Sequence, residues 1–119
     1  MNITWKRCLT YASAKASEKV VYLHEWNGAP FYWGLAANFD TRYNVGYSHW
    51  IEGCLQHGGR LYVGKPDKDN MDGFSLEDIE NTLIAKYGSV MNKKLKASKV
   101  KEITHSGNVP ESIEKPGVP

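Results

Sequence analysis

Asn27-Gly28 stands between two runs of β-branched and aromatic residues, Val20-Val21-Tyr22-Leu23-His24-Glu25-Trp26 and Phe31-Tyr32-Trp33-Gly34-Leu35. A two-residue hairpin turn needs positive φ at both central positions, because only that turn matches the right-handed twist of its strands, and Asn-Gly meets the demand best. The flanking runs have strand composition. The pattern predicts a β-hairpin over about residues 20–36. Such a hairpin is not stable by itself, so the rest of the chain must cover at least one of its faces.

The period changes beyond the hairpin. Tyr43, Tyr47, Trp50, Ile51, Cys54 and Leu55 recur at helical spacing from Asn38 to His57. Gly46 interrupts them, which predicts a short helix, a break, and a second helix from about Tyr47. Gly58-Gly59 ends it, Arg60-Leu61-Tyr62-Val63-Gly64 reads as a third strand, and Asp67 to Gly73 as a loop. Ser75 with Asp78 has the form of a capping box, ahead of a helix that Gly88 closes. The expected fold is α+β, a small three-stranded sheet with flanking helices in the order β-β-α-β-α.

Both ends read as additions to that domain. Residues 1–19 show no clean period, with Trp5, Leu9 and Ala12 at the spacing of a short helix. Residues 93–119 are rich in lysine and proline, the composition of a flexible basic tail. The domain proper spans 20–92, and the 119 residues with 41% apolar content suffice for one core. A net charge of +2 permits a polyanionic partner without demanding one. No apolar stretch approaches the roughly 18–20 residues of a membrane span. Cys8 and Cys54 have no metal-type spacing, and Cys54 reads as a buried small apolar residue, as expected of a reducing cell interior.

Glu80 is out of place. A wheel at 100° per residue sets it in the middle of the stripe formed by Leu76, Ile79, Leu83, Ile84 and Tyr87. A carboxylate there needs a compensating cation, which is either a structural salt-bridge partner or a metal ion.

Val20-Val21-Tyr22, then Tyr32-Trp33-Gly34 across the turn, then Arg42 eight residues after Gly34, then Glu80 and Asn92, resemble the GIY-YIG nuclease motif. The resemblance covers residues 20–92. It departs at Val20, where a glycine is usual, at Trp33, where a small aliphatic is usual, and at Gly46, where the family often carries histidine or tyrosine. Tyr47 and His49 stand one and three residues further on.

The resemblance implies a metal-dependent endonuclease that hydrolyses phosphodiester bonds, most often in DNA. It makes Glu80 the metal ligand, for Mg²⁺ or Mn²⁺, and Arg42 the fork on the phosphate oxygens. Tyr22 would accept the proton of the attacking water, Tyr32 orient water or phosphate, His49 or Tyr47 relay the proton, and Asn92 brace the site. Lys65, Lys68, Lys93, Lys94 and Lys96 would track phosphates, with a partner protein as a possible source of specificity. The alternative is a binding module on the same fold that has lost its chemistry.

Overall fold

The computed structural model describes residues 1–14, 17–38, 45–67, 75–88 and 102–115, with the side chains of 37, 38 and 45–49 set aside. Strands β2 (Glu18–Trp26) and β3 (Ala29–Asn38) form the expected hairpin. Trp26 pairs with Ala29, and between them Asn27 and Gly28 take φ values of 53° and 75°. Both are positive, as the dipeptide demanded.

The sheet has five strands, where three were expected. Its order is β3-β2-β4-β1-β5, with β1 at Asn2–Cys8, β4 at Arg60–Pro66 and β5 at Thr104–Gly107. The class remains α+β. β2 runs antiparallel to β3 and β4, β1 antiparallel to β4, and β5 parallel to β1. Both added strands come from segments that the sequence placed outside the domain.

Their physical reasons differ. In β1, Ile3 and Trp5 are buried on one face and Cys8 on the other, so the governing period is two. The helical spacing of Trp5 and Leu9 was coincidental, since Leu9 is 69% exposed. Only the four-residue helix α1 (Tyr11–Ala14) follows. β5, Thr-His-Ser-Gly, has no strand composition, and partners hold it. The Thr104 amide donates to the Met1 carbonyl at 2.8 Å, and the Asn108 amide donates to that of Trp5 at 2.9 Å.

Alternation gives the sheet two covered faces. On one, Trp5, Val21, Leu23, Trp33 and Tyr62 meet Ile79, Leu83 and Ile84 of α3 (Leu76–Tyr87) and Ile113 of α4 (Glu111–Glu114). On the other, Cys8, Val20, Tyr22, Ala36, Leu61 and Val63 meet Ala14 of α1 and Ile51 of α2 (Val45–Gln56).

Gly46 lies in the first turn of α2 and does not break it. The earlier short helix expected there, and most of the expected loop at 67–73, fall outside the described residues.

The α3 cap forms as read. The Asp78 amide donates to Ser75 Oγ at 3.2 Å, and the Ser75 amide donates to Asp78 Oδ2 at 3.1 Å. Gly88 ends the helix, and its carbonyl accepts from Trp33 Nε1 at 2.8 Å, which ties α3 to β3. No helix among the described residues is long and apolar enough to cross a membrane.

Candidate functional site

The hairpin register sets Tyr22 opposite Gly34 and His24 opposite Tyr32. All four share the face covered by α2, because side chains alternate along each strand. The ring centroids of Tyr22 and Tyr32 are 6.1 Å apart, and those of His24 lie 5.7 Å from Tyr22 and 6.2 Å from Tyr32. Tyr22 is 1% exposed, whereas Tyr32 is only partly buried.

Gly34 makes the arrangement possible. A Cβ at this position would fall within 2.5 Å of Tyr22 Cε2 and closer still to Cζ and the hydroxyl. The Tyr22 ring therefore lies across bare backbone. The spacing of tyrosine, one residue and glycine in β3 presents one phenol and clears room for the other.

Towards the turn the pairing shifts: His24 faces Tyr32 but Glu25 faces Pro30, which leaves Phe31 as the extra residue of a bulge. A bulge re-aims a side chain, and Phe31 joins His24, Trp26 and Trp50 around a cavity of about 250 Å³. Trp50 of α2 meets His24 edge to face at 5.2 Å. Ile51, Cys54, Leu55 and Gly59 complete the wall, and the paired residues Glu25 and Arg60 border it although their side chains turn to the opposite face. Burial lowers the pKa of His24 to about 4, so its imidazole is neutral near pH 7.

Glu25 points to the opposite face. It is 2% exposed, and its Oε2 accepts the Ser112 amide at 3.0 Å, at the start of α4. Its Oε1 and Ser112 Oγ are buried without a hydrogen-bond partner among the described residues. Glu111, beside them, pairs with Arg60 at 3.6 Å and packs under Gly28 at the hairpin turn.

The residues expected at the site fall into three groups. Tyr22 and Tyr32 come together. Lys65 stands exposed on β4, on the same face by alternation, with its amine donating to the Glu18 carbonyl at 2.6 Å. Glu80 lies on α3, which packs on β3 and β2 from the other face.

On that helix the expected stripe forms, with Ile79, Leu83 and Ile84 buried and Leu76 and Tyr87 packed against the same core. Glu80, between Leu83 and Ile84 around the helix, is half-buried, and Asn81 and Thr82 are buried as well. Hydropathy alone discounts Thr82. Its hydroxyl donates to the Asp78 carbonyl at 2.8 Å and can therefore be buried. Arg42, Asn92, Lys68, Lys93, Lys94 and Lys96, and the side chains of Tyr47 and His49, lie outside the described residues.

Sequence reasoning missed His24 and Trp50. The signal for His24 was available, since it follows Tyr22 by two residues and so shares its face. Nothing in the sequence singled out Glu25 with Ser112, which are 87 residues apart.

Compared with models of known families, with curated proteins and with solved structures, the chain matches none at a significant level. Among the described residues no group of three or more His, Cys, Asp or Glu is placed to hold a metal ion.

Proposed function

We propose that the protein is a divalent-metal-dependent endonuclease acting on nucleic acid, with DNA as the expected substrate. The observation that carries this reading is the cross-strand pairing of Tyr22 with Gly34. It brings the two half-motifs of the hairpin to one face and explains why the second contains glycine.

Their burial divides the work of the two phenols. Tyr32, the more accessible, orients the phosphate and its attacking water. Tyr22, shielded behind it, accepts the proton. A free phenol has a pKa of about 10, so this role requires a cation nearby. Arg42 supplies a permanent charge and a planar fork for two phosphate oxygens. Lys65 adds positive charge on the same face, and His49 or Tyr47 relays the proton.

Glu80 fits a magnesium site in its donor chemistry, since Mg²⁺ takes one or two carboxylates and otherwise keeps water and phosphate oxygens. Glu80 is half-buried on α3, which covers the face of the sheet opposite Tyr22. The ion, when bound, neutralises charge on the phosphate. Two free cysteines suit a reducing cell interior, where nucleic acid is met.

The approach of α3 from the face opposite Tyr22 favours a second reading, a nucleic-acid-binding module without turnover. Incubation of the purified chain with plasmid, with and without Mg²⁺, separates the two. The nuclease reading expects metal-dependent nicking or cutting that Glu80→Gln and Tyr22→Phe each abolish while both variants stay folded. Binding without cleavage at any metal concentration would overturn it in favour of the module.

A further inference from the structure

We infer that the cavity between the hairpin turn and α2 is a pocket for one unpaired nucleobase of a bound strand. The inference deepens the nuclease reading and rests on it for the identity of the strand.

The cavity has the right size and walls. About 250 Å³ lies just below the roughly 300–1,000 Å³ of pockets for drug-sized ligands, so one flat ring system suits it and a helix or folded peptide does not. Of the four tryptophans, Trp5 and Trp33 are core residues, whereas Trp26 and Trp50 stay 40% and 43% exposed and both line this cavity. Aromatic rings of this kind stack on bases irrespective of sequence.

The rings are held in place before any ligand arrives. Trp26 lies over bare backbone at Gly59, where a Cβ would come within 3.0 Å of Cε3 and Cζ3 and within 2.8 Å of the Cys54 carbonyl. Trp50 is braced edge-on against His24, and the bulge turns Phe31 inward. Such preorganisation removes part of the ordering penalty of binding.

The remaining lining points the same way. His24 adds an uncharged aromatic ring to the wall beside Trp50. His24 stands between Trp50 and Tyr32, so a base in the cavity places its own backbone beside the phenols. The inner wall of Ile51, Cys54 and Leu55 is apolar, which predicts little discrimination among bases.

The test uses the full chain in Ca²⁺, which occupies magnesium sites without supporting turnover, and a DNA duplex carrying one bulged 2-aminopurine. Binding should quench the 2-aminopurine, and Trp50→Ala should weaken affinity by about 10-fold or more. Trp50→Phe should retain most of the affinity and the same melting temperature. The same duplex with 2-aminopurine paired should be insensitive to Trp50→Ala.

Unquenched fluorescence, equal affinity of wild type, Trp50→Ala and Trp26→Ala, or equal quenching of the free nucleoside would each overturn the pocket. Plasmid cleavage in Mg²⁺ is scored in parallel. Cleavage with no effect of Trp50→Ala on binding removes the pocket and leaves the nuclease. Trp50-dependent base binding without cleavage removes the chemistry and leaves the pocket.

Discussion

The ring of Tyr22 lies over the backbone of Gly34, its partner across the hairpin, in space that no other residue type would leave open. Gly34→Ala should therefore destabilise the fold by overpacking, by about 2–3 kcal/mol. In a Tyr22→Leu background the same substitution should be nearly neutral, since the ring that it strikes is gone. Urea denaturation of the four proteins measures the coupling. Additive effects would show that Gly34 serves some purpose other than clearing room for Tyr22.

How far that pairing was legible in the sequence depends on range. Asn27-Gly28, the Ser75–Asp78 box and the Gly88 stop are local devices, and each forms as its residues dictate. Counting outward from the turn would pair Tyr22 with Trp33, and only the bulge at Phe31, which no local residue announces, shifts the register by one and sets Gly34 opposite Tyr22. β1 and β5 were not legible either. β1 is defined by pairing with β4 far along the chain and with β5 about 100 residues on, and the sequence of β5 carries no strand signal at all. The stripe around Glu80 packs as the wheel read it, and hydropathy missed only that Asn81 and Thr82 are buried too, Thr82 by bonding to its own helix.

Stability should fall with acid through two imidazoles. Desolvation lowers His24 to about 4, and desolvation with the charge of Lys86 lowers His105 to about 4. The unfolded chain titrates near the ordinary value of 6.5, so between these limits it binds more protons than the folded one. Stability is then full above about pH 6.5 and is lost as pH falls towards 4, by about 3 kcal/mol for a site as buried as His24. His105 is less buried and should contribute less. The Trp5 Nε1–H donates to its Nδ1 at 2.9 Å, and protonation removes that acceptor. Melting temperatures of wild type, His24→Gln and His105→Gln across this range check the account, with a flattened profile expected for each variant.

Arg42→Lys should lose nearly as much cleavage as Arg42→Ala, about 10²-fold or more, because a point charge cannot replace a bidentate fork. Single-turnover rates in Mg²⁺ measure it. Near-normal rates in the lysine variant would reduce Arg42 to general electrostatics.

Glu25 caps the first turn of α4 from β2, with Oε2 on the Ser112 amide and Oε1 without a partner among the described residues. Glu25→Ala should destabilise by about 2–3 kcal/mol, since it leaves a buried amide without its acceptor and opens a gap. Glu25→Gln keeps an acceptor and removes the buried charge, so it should be nearly neutral. Equal losses in both variants, measured by denaturant titration, would show that the charge itself matters more than the cap.

Removing the chain beyond Lys94 would look like a clean test of whether the lysine run binds phosphate, but the fold forbids it. The deletion takes away β5, which pairs with β1 and returns amide bonds to Met1 and Trp5. It also removes His105, the acceptor for Trp5 Nε1–H, and Ile113, which belongs to the core shared with α3. Leaving the Trp5 donor unpaired alone costs about 1–3 kcal/mol. Without the edge strand and the packing of Ile113 as well, the truncated chain should unfold or melt far below wild type. The charge question is better put by replacing Lys93, Lys94 and Lys96 with serine in the full chain. That variant should melt as wild type does and still cleave. If those lysines bind phosphates of a duplex, each phosphate released should flatten the plot of log K against log salt by about 0.9. The affinity series is measured in Ca²⁺ on one duplex. An unchanged slope would assign phosphate binding to the compact part of the protein, where Lys65 and Arg60 are the next candidates to substitute.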